Sequence, residues 1–135
     1  ELQAAILRIK LKHLDEDNQK RRDIAEFYYE KLSELPILLP SIRANAESVF
    51  HLFVIQVENR DSLLSFLKEG GIIAGIHYSL SVHMQPAYNH RVIKSADMAV
   101  TEDIVQNIIS LPIYPELSKS DLKKIVNRIK LFFKL

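Results

Sequence analysis

Val49-Phe50-His51-Leu52-Phe53-Val54-Ile55-Gln56-Val57 is an almost unbroken run of apolar, β-branched and aromatic residues, and its reading decides the fold. A strand with one wet face alternates in polarity, so a run like this suits a central strand covered on both faces. His51 inside it reads as a core or edge residue. Downstream, Asn59-Arg60-Asp61 turns the chain and offers an N-cap for a helix with Leu63, Leu64, Phe66 and Leu67 inward. Gly70-Gly71 ends that helix, since glycine accepts the left-handed conformation common at helix C-termini. Residues 72–77 then read as a second strand. Upstream, Pro36 and Pro40 bracket a short extended link, Ile37-Leu38-Leu39, and residues 41–48 read as loop.

Residues 1–34 carry helical periodicity. Leu2, Ile6, Ile9 and His13 form one stripe, with Leu7, Leu11 and Leu14 beside it. A charged middle follows, where Glu16 can pair with Lys20 and Asp17 with Arg21 at i,i+4. The apolar stripe resumes with Ile24, Tyr28, Leu32 and Leu35. A single helix of that length would run about 50 Å at ~1.5 Å per residue, longer than a small domain is wide. Either it breaks in the charged middle, or its first half packs on a further body. The second reading is favoured, because residues 2–14 are too apolar to lie in water. The opening within a helical pattern, without an initiator methionine, gives the expectation of a piece of a longer protein.

Towards the other end, Ala96, Ala99, Val100, Ile104 and Ile108 imply a helix from Ser95 to about Asn107, and residues 109–113 a short third strand. Ser118 with Asp121 resembles a capping box, and Leu122, Ile125, Val126, Ile129 and Phe132 give a last helix its buried face. The expectation is one α+β domain over residues 1–135, a small three-stranded sheet with helices packed on it, preceded by a long N-terminal helix.

Composition narrows the function. The 135 residues can bury a core, and 47% hydrophobic with 26% charged residues is ordinary for a globular protein. A net charge of +1 gives no field favouring nucleic acid or an anionic membrane. The basic series Lys119, Lys123, Lys124, Arg128, Lys130 and Lys134 reads as a solvated helix face. There is no cysteine, hence no disulfide or thiolate metal site. No apolar run reaches the ~18 residues of a membrane span. A cytoplasmic location is the default expectation.

Chemistry-bearing residues gather in residues 75–88, Gly-Ile-His-Tyr-Ser-Leu-Ser-Val-His-Met-Gln-Pro-Ala-Tyr, an irregular segment after a strand. Loops in that position commonly carry binding residues. His77, His83 and His90 recur at six- and seven-residue steps, which match no compact metal site, so no metal is expected. Ser79 and Ser81 stand near histidines, yet there is no nucleophile elbow and no carboxylate is placed to orient an imidazole. The glycines are too few for a phosphate-cradling loop. These residues define a polar, aromatic binding loop without a self-sufficient catalytic set. A stand-alone small-ligand-binding or regulatory α+β module is one reading of such a chain.

The wording of the sequence adds a second reading. Glu1-Leu2-Gln3-Ala4-Ala5-Ile6-Leu7-Arg8, Lys12-His13-Leu14-Asp15 and Asn18-Gln19-Lys20-Arg21-Arg22 resemble the long helix opening the C-terminal domain of DegT-type nucleotide-sugar aminotransferases. The resemblance continues through His51-Leu52-Phe53-Val54-Ile55, Gly75-Ile76-His77-Tyr78 and His83-Met84-Gln85-Pro86-Ala87-Tyr88. It ends in Ser110-Leu111-Pro112-Ile113-Tyr114-Pro115-Glu116-Leu117-Ser118. One departure is Ser79, where the family usually has proline; serine leaves the start of the loop freer.

The resemblance implies the C-terminal small domain of a fold-type I pyridoxal-phosphate enzyme, with residues 1–34 linking to the large domain. That domain would carry the catalytic lysine and the cofactor, so this chain alone is expected to be inactive, with no catalytic or cofactor-binding residue of its own. The whole enzyme would move an amino group, with glutamate as donor, to a keto sugar attached to a nucleotide, such as a dTDP-3-keto-6-deoxyhexose. It would act as a homodimer with sites drawn from both subunits. His77, Tyr78, His83 and Gln85 would bind the sugar nucleotide, through hydrogen bonds and ring stacking. The alternative, that this loop packs only against the partner subunit, stands beside it.

Overall fold

The computed structural model describes residues 1–88, 91 and 97–134. Its elements run α1 (Leu2–Lys10), a 3-10 turn (Leu11–His13), α2 (Leu14–Leu32), β1 (Phe53–Gln56), α3 (Arg60–Glu69), α4 (Ala99–Asn107), β2 (Ile108–Leu111) and α5 (Lys119–Phe132). This is the expected α+β arrangement with a long helical N-terminus. The 3-10 turn falls just before the charged middle, not within it. Through that middle α2 is continuous, and Glu16 meets Lys20 at 2.7 Å. Arg21 does not turn to Asp17; it donates from Nη1 to the Ile113 carbonyl at 2.9 Å. No residue of α1 or of the 3-10 turn is buried: Leu2 is 77% exposed and Leu11 68%. From Ile24 the stripe goes inside, with Ile24, Ala25, Tyr28 and Leu32 buried.

The sheet is smaller than expected. β1 and β2 pair antiparallel, Phe53 opposite Leu111 through Gln56 opposite Ile108, and among the described residues these are its two strands. The run over residues 49–57 becomes strand only from Phe53. Phe50 has φ of +46°, which turns the chain out of the extended conformation, and its N–H bonds the Ser48 hydroxyl at 3.1 Å. His51 consequently lies exposed ahead of the strand. Nor is β1 covered equally on both faces, since Phe53 and Ile55 are buried while Val54 and Gln56 are half-buried. The fully covered strand is β2.

Residues 72–77 do not form a strand. Gly71, at φ +72°, ends the turn after α3. Ile72 then drops into the core, whereas Ile73 is 87% exposed. The segment meets β2 at one position only, where Gly75 N–H and C=O bond Ser110 at 3.0 and 2.8 Å. Leu38 makes a similar single bridge to Gln56. One dip into the core and one paired residue satisfy this stretch without a ladder.

The core joins α2, α3, α5 and the two strands. Leu63 and Leu67 of α3 are fully buried, and Leu122, Ile125, Val126 and Ile129 of α5 are buried as expected. The Ser118 hydroxyl caps α5, accepting the Asp121 N–H at 3.1 Å. On α4 the expected face is corrected: Val105 is buried, whereas Val100 is 73% exposed. Ser95 and Ala96 lie outside the described residues. Tyr28 packs on Phe53, ring centroids 5.0 Å apart, and donates its hydroxyl to the Pro112 carbonyl at 2.7 Å. Burial raises the Tyr28 phenol well above its ordinary range. No helix among the described residues is long and apolar enough to cross a membrane.

Candidate functional site

The loop over residues 75–88 starts from the Gly75 bridge and continues through two short 3-10 turns, Val82–Met84 and Pro86–Tyr88. His77 Nδ1 sits 2.9 Å from the Ser110 hydroxyl oxygen, and its ring meets Tyr78 edge-on at 5.6 Å and 79°. Both side chains are exposed, Tyr78 to 73%. The Tyr78 hydroxyl and His77 Nε2 have no partner among the described residues. An aromatic face and two hydrogen-bonding tips therefore stand free beside β2.

His83 and Gln85 sit differently. The His83 side chain is 6% exposed, with Nε2 2.8 Å from Glu102 Oε1 on α4 and 3.3 Å from the Ser81 hydroxyl. Gln85 donates its amide to the Leu80 carbonyl at 3.3 Å. These two residues tie the loop to itself and to α4. The expectation that no carboxylate orients an imidazole is corrected by Glu102, which approaches from 19 residues downstream. The group is still not a hydrolytic triad, because serine and carboxylate meet the same ring nitrogen, whereas a triad uses one nitrogen for each. His90 lies outside the described residues, and among those described no three metal-ligating side chains cluster.

Sequence reasoning missed Ser110 and Glu102. Ser110 could have been found: a lone hydroxyl in Ile108-Ile109-Ser110-Leu111, a fully buried strand, needs a partner. Nothing in the spacing announces Glu102, because the fold alone brings α4 to the loop.

The fold is that of one part of a sugar aminotransferase. It superposes on DesV of S. venezuelae, solved in complex with a ketimine intermediate, with TM-score 0.93 and 34% identity, covering 98% of this chain and 36% of that one. A Brucella abortus aminotransferase matches with TM-score 0.91 at 34% identity, covering 98% of this chain and 35% of that one. Residues 1–130 match the DegT/DnrJ/EryC1/StrS aminotransferase family, and the chain belongs to it. Similar proteins include the erythromycin biosynthesis sensory transduction protein EryC1 of Saccharopolyspora erythraea, 40% identical over 96% of this chain. Another is the dTDP-3-amino-3,6-dideoxy-alpha-D-galactopyranose transaminase of Aneurinibacillus thermoaerophilus, 39% identical over 96% of this chain. The chain spans 36% and 35% of the lengths of these two relatives.

Pyridoxal phosphate, the cofactor of this family, needs a lysine amine and a phosphate cradle. The loop contains no lysine. The described lysines lie exposed or half-buried on helices, in the 3-10 turn or just past α5, Lys20 and Lys31 paired with Glu16 and Glu30. Lys94 lies outside the described residues. The described residues do not fit the cofactor by themselves; what they offer is a wall of donors and an aromatic face.

Proposed function

We propose that this chain is the C-terminal third of a pyridoxal-phosphate aminotransferase that places an amino group on a nucleotide-linked keto sugar. The observation that carries the reading is the exposed, edge-on pair of His77 and Tyr78 in a chain of this family. An imidazole and a phenol side by side can hydrogen-bond phosphate or hydroxyl oxygens, and the tyrosine ring can stack on a sugar or base. His77 and Tyr78 are the direct contacts, with His83 and Gln85 completing the same substrate-binding wall. The cofactor supplies the electron-sink chemistry from the rest of the enzyme, while this wall orients the acceptor. The substrate is a dTDP-3-keto-6-deoxyhexose, in keeping with the Aneurinibacillus relative, and glutamate is the donor. The enzyme is a cytoplasmic homodimer, residues 1–34 link this domain to the large one, and the 135-residue chain alone is inactive.

The test uses the full-length protein with pyridoxal phosphate, glutamate and a dTDP-3-keto-6-deoxyhexose, following the aminated sugar by mass. Formation of amino sugar supports the reading, and no transfer to any keto sugar nucleotide overturns it. A separate arm mixes the 135-residue chain with cofactor and desalts it. A retained cofactor absorbance band would show that the cofactor is held here rather than elsewhere.

A further inference from the structure

His77 is held from two sides, by Ser110 and by Gly75. Ser110 sits in the middle of β2, 5% exposed, and its hydroxyl oxygen is 2.9 Å from His77 Nδ1. Its backbone bonds Gly75 in both directions, which brings the histidine loop against the strand. Gly75 lies under the ring: a Cβ there would stand 3.0 Å from His77 Cε1, 3.6 Å from Nδ1 and 3.8 Å from Nε2. The imidazole thus lies over a bare backbone carbon, in space that any side chain at position 75 would contest.

The bond between His77 and Ser110 can run in two directions. If Nδ1–H donated, the Ser110 hydroxyl hydrogen would be buried with no acceptor among the described residues, which is costly. If the hydroxyl donates, Nδ1 accepts and the Ser110 hydroxyl is satisfied. The neutral ring then carries its hydrogen on Nε2, on an exposed side chain.

We propose that Ser110 and Gly75 are positioning residues that seat His77 with Nε2–H directed outward, as an oriented neutral donor to a diphosphate oxygen of the sugar nucleotide. This rests on the sugar-nucleotide reading above. It differs in naming which nitrogen binds, in which protonation form, and what holds it. A fixed donor contributes more than a swinging one because its ordering is complete before the ligand arrives.

Two variants test the seat independently. Ser110→Ala removes the hydroxyl, and Gly75→Ala pushes the ring from below. In the 15N-histidine-labelled full-length enzyme, wild-type His77 is expected to show one tautomer, with pyridine-type Nδ1 and pyrrole-type Nε2. Both variants are expected to show a mixture. In the full-length enzyme, Ser110→Ala is expected to raise KM for the sugar nucleotide about fivefold, the equivalent of one ~1 kcal/mol hydrogen bond, with kcat changed less than about twofold. His77→Ala should raise it at least as much, and Ser110→Ala should add nothing in that background. Unchanged His77 nitrogen signals in both variants, or an unchanged KM in Ser110→Ala, would overturn the proposal. A full-length protein inactive on every sugar nucleotide, with signals that still shift, would overturn it through the reading it rests on. That result is distinguishable from failure of the seat itself.

Discussion

Replacing Tyr28 by Phe tests the buried contact between α2 and the exit of β2. Tyr28 is fully buried and gives its hydroxyl to the Pro112 carbonyl at 2.7 Å. The substitution removes one oxygen and leaves no cavity, so its cost at pH 7 is the lost bond plus the stranded carbonyl, about 1–3 kcal/mol. The pH dependence sharpens this. Burial raises the folded-state phenol above its ordinary value of 10.0, so above pH 10 the folded protein keeps a proton that the unfolded chain releases. Stability from this group is complete below pH 10 and falls as pH rises from there, by about 1.4 kcal/mol at pH 11. Phenylalanine has no proton to lose. The gap between wild type and Tyr28→Phe should therefore close by about 1.4 kcal/mol between pH 7 and pH 11. Tyr29, also raised by burial, contributes equally to both proteins and cancels. Urea unfolding followed by circular dichroism at pH 7, 9, 10 and 11 gives the four differences. Parallel stability curves above pH 10 would refute the reasoning.

Three further outcomes can be checked directly. Ser118→Ala removes the cap on α5 and should cost about 1 kcal/mol in the same unfolding assay. Tyr78→Phe should leave stability within about 0.5 kcal/mol but raise KM of the full-length enzyme, whereas His83→Ala, which breaks the tie to Glu102, should cost about 1–3 kcal/mol. The 135-residue chain should self-associate through the exposed α1 stripe, and Leu7→Glu with Leu11→Glu should lower the mass seen by light scattering; an unchanged mass counts against that interface.

What could be read beforehand was whatever the chain settles locally. Helix α5 announces itself through Ser118, Asp121 and its apolar stripe, and the structure returns the same cap and face. The buried half of α2 follows equally from Ile24, Tyr28 and Leu32. The failures lie where apolar content was a poor guide to conformation. Residues 49–52 and 72–76 are apolar enough for strands, but a positive φ at Phe50 and a single point of contact at Gly75 keep both out of the ladder. Among the expected site residues, His77 and Tyr78 stand exposed, whereas the His83 side chain is enclosed. The roles of Ser110 and Glu102 were hidden because each acts across more than fifteen residues of chain. A hydroxyl in an apolar strand is a visible oddity, but its partner is set by tertiary packing.

The two clasps from α2, Tyr28 to the Pro112 carbonyl and Arg21 to the Ile113 carbonyl, grip the chain just beyond Ser110. His77 hangs from Ser110 itself. Helix α2, the strand exit and the imidazole ring are thereby tied to one four-residue stretch, 110–113. Because α2 continues through the 3-10 turn into the exposed stripe of α1, one helical run carries both the uncovered apolar side chains and the two clasps beside the His77 seat.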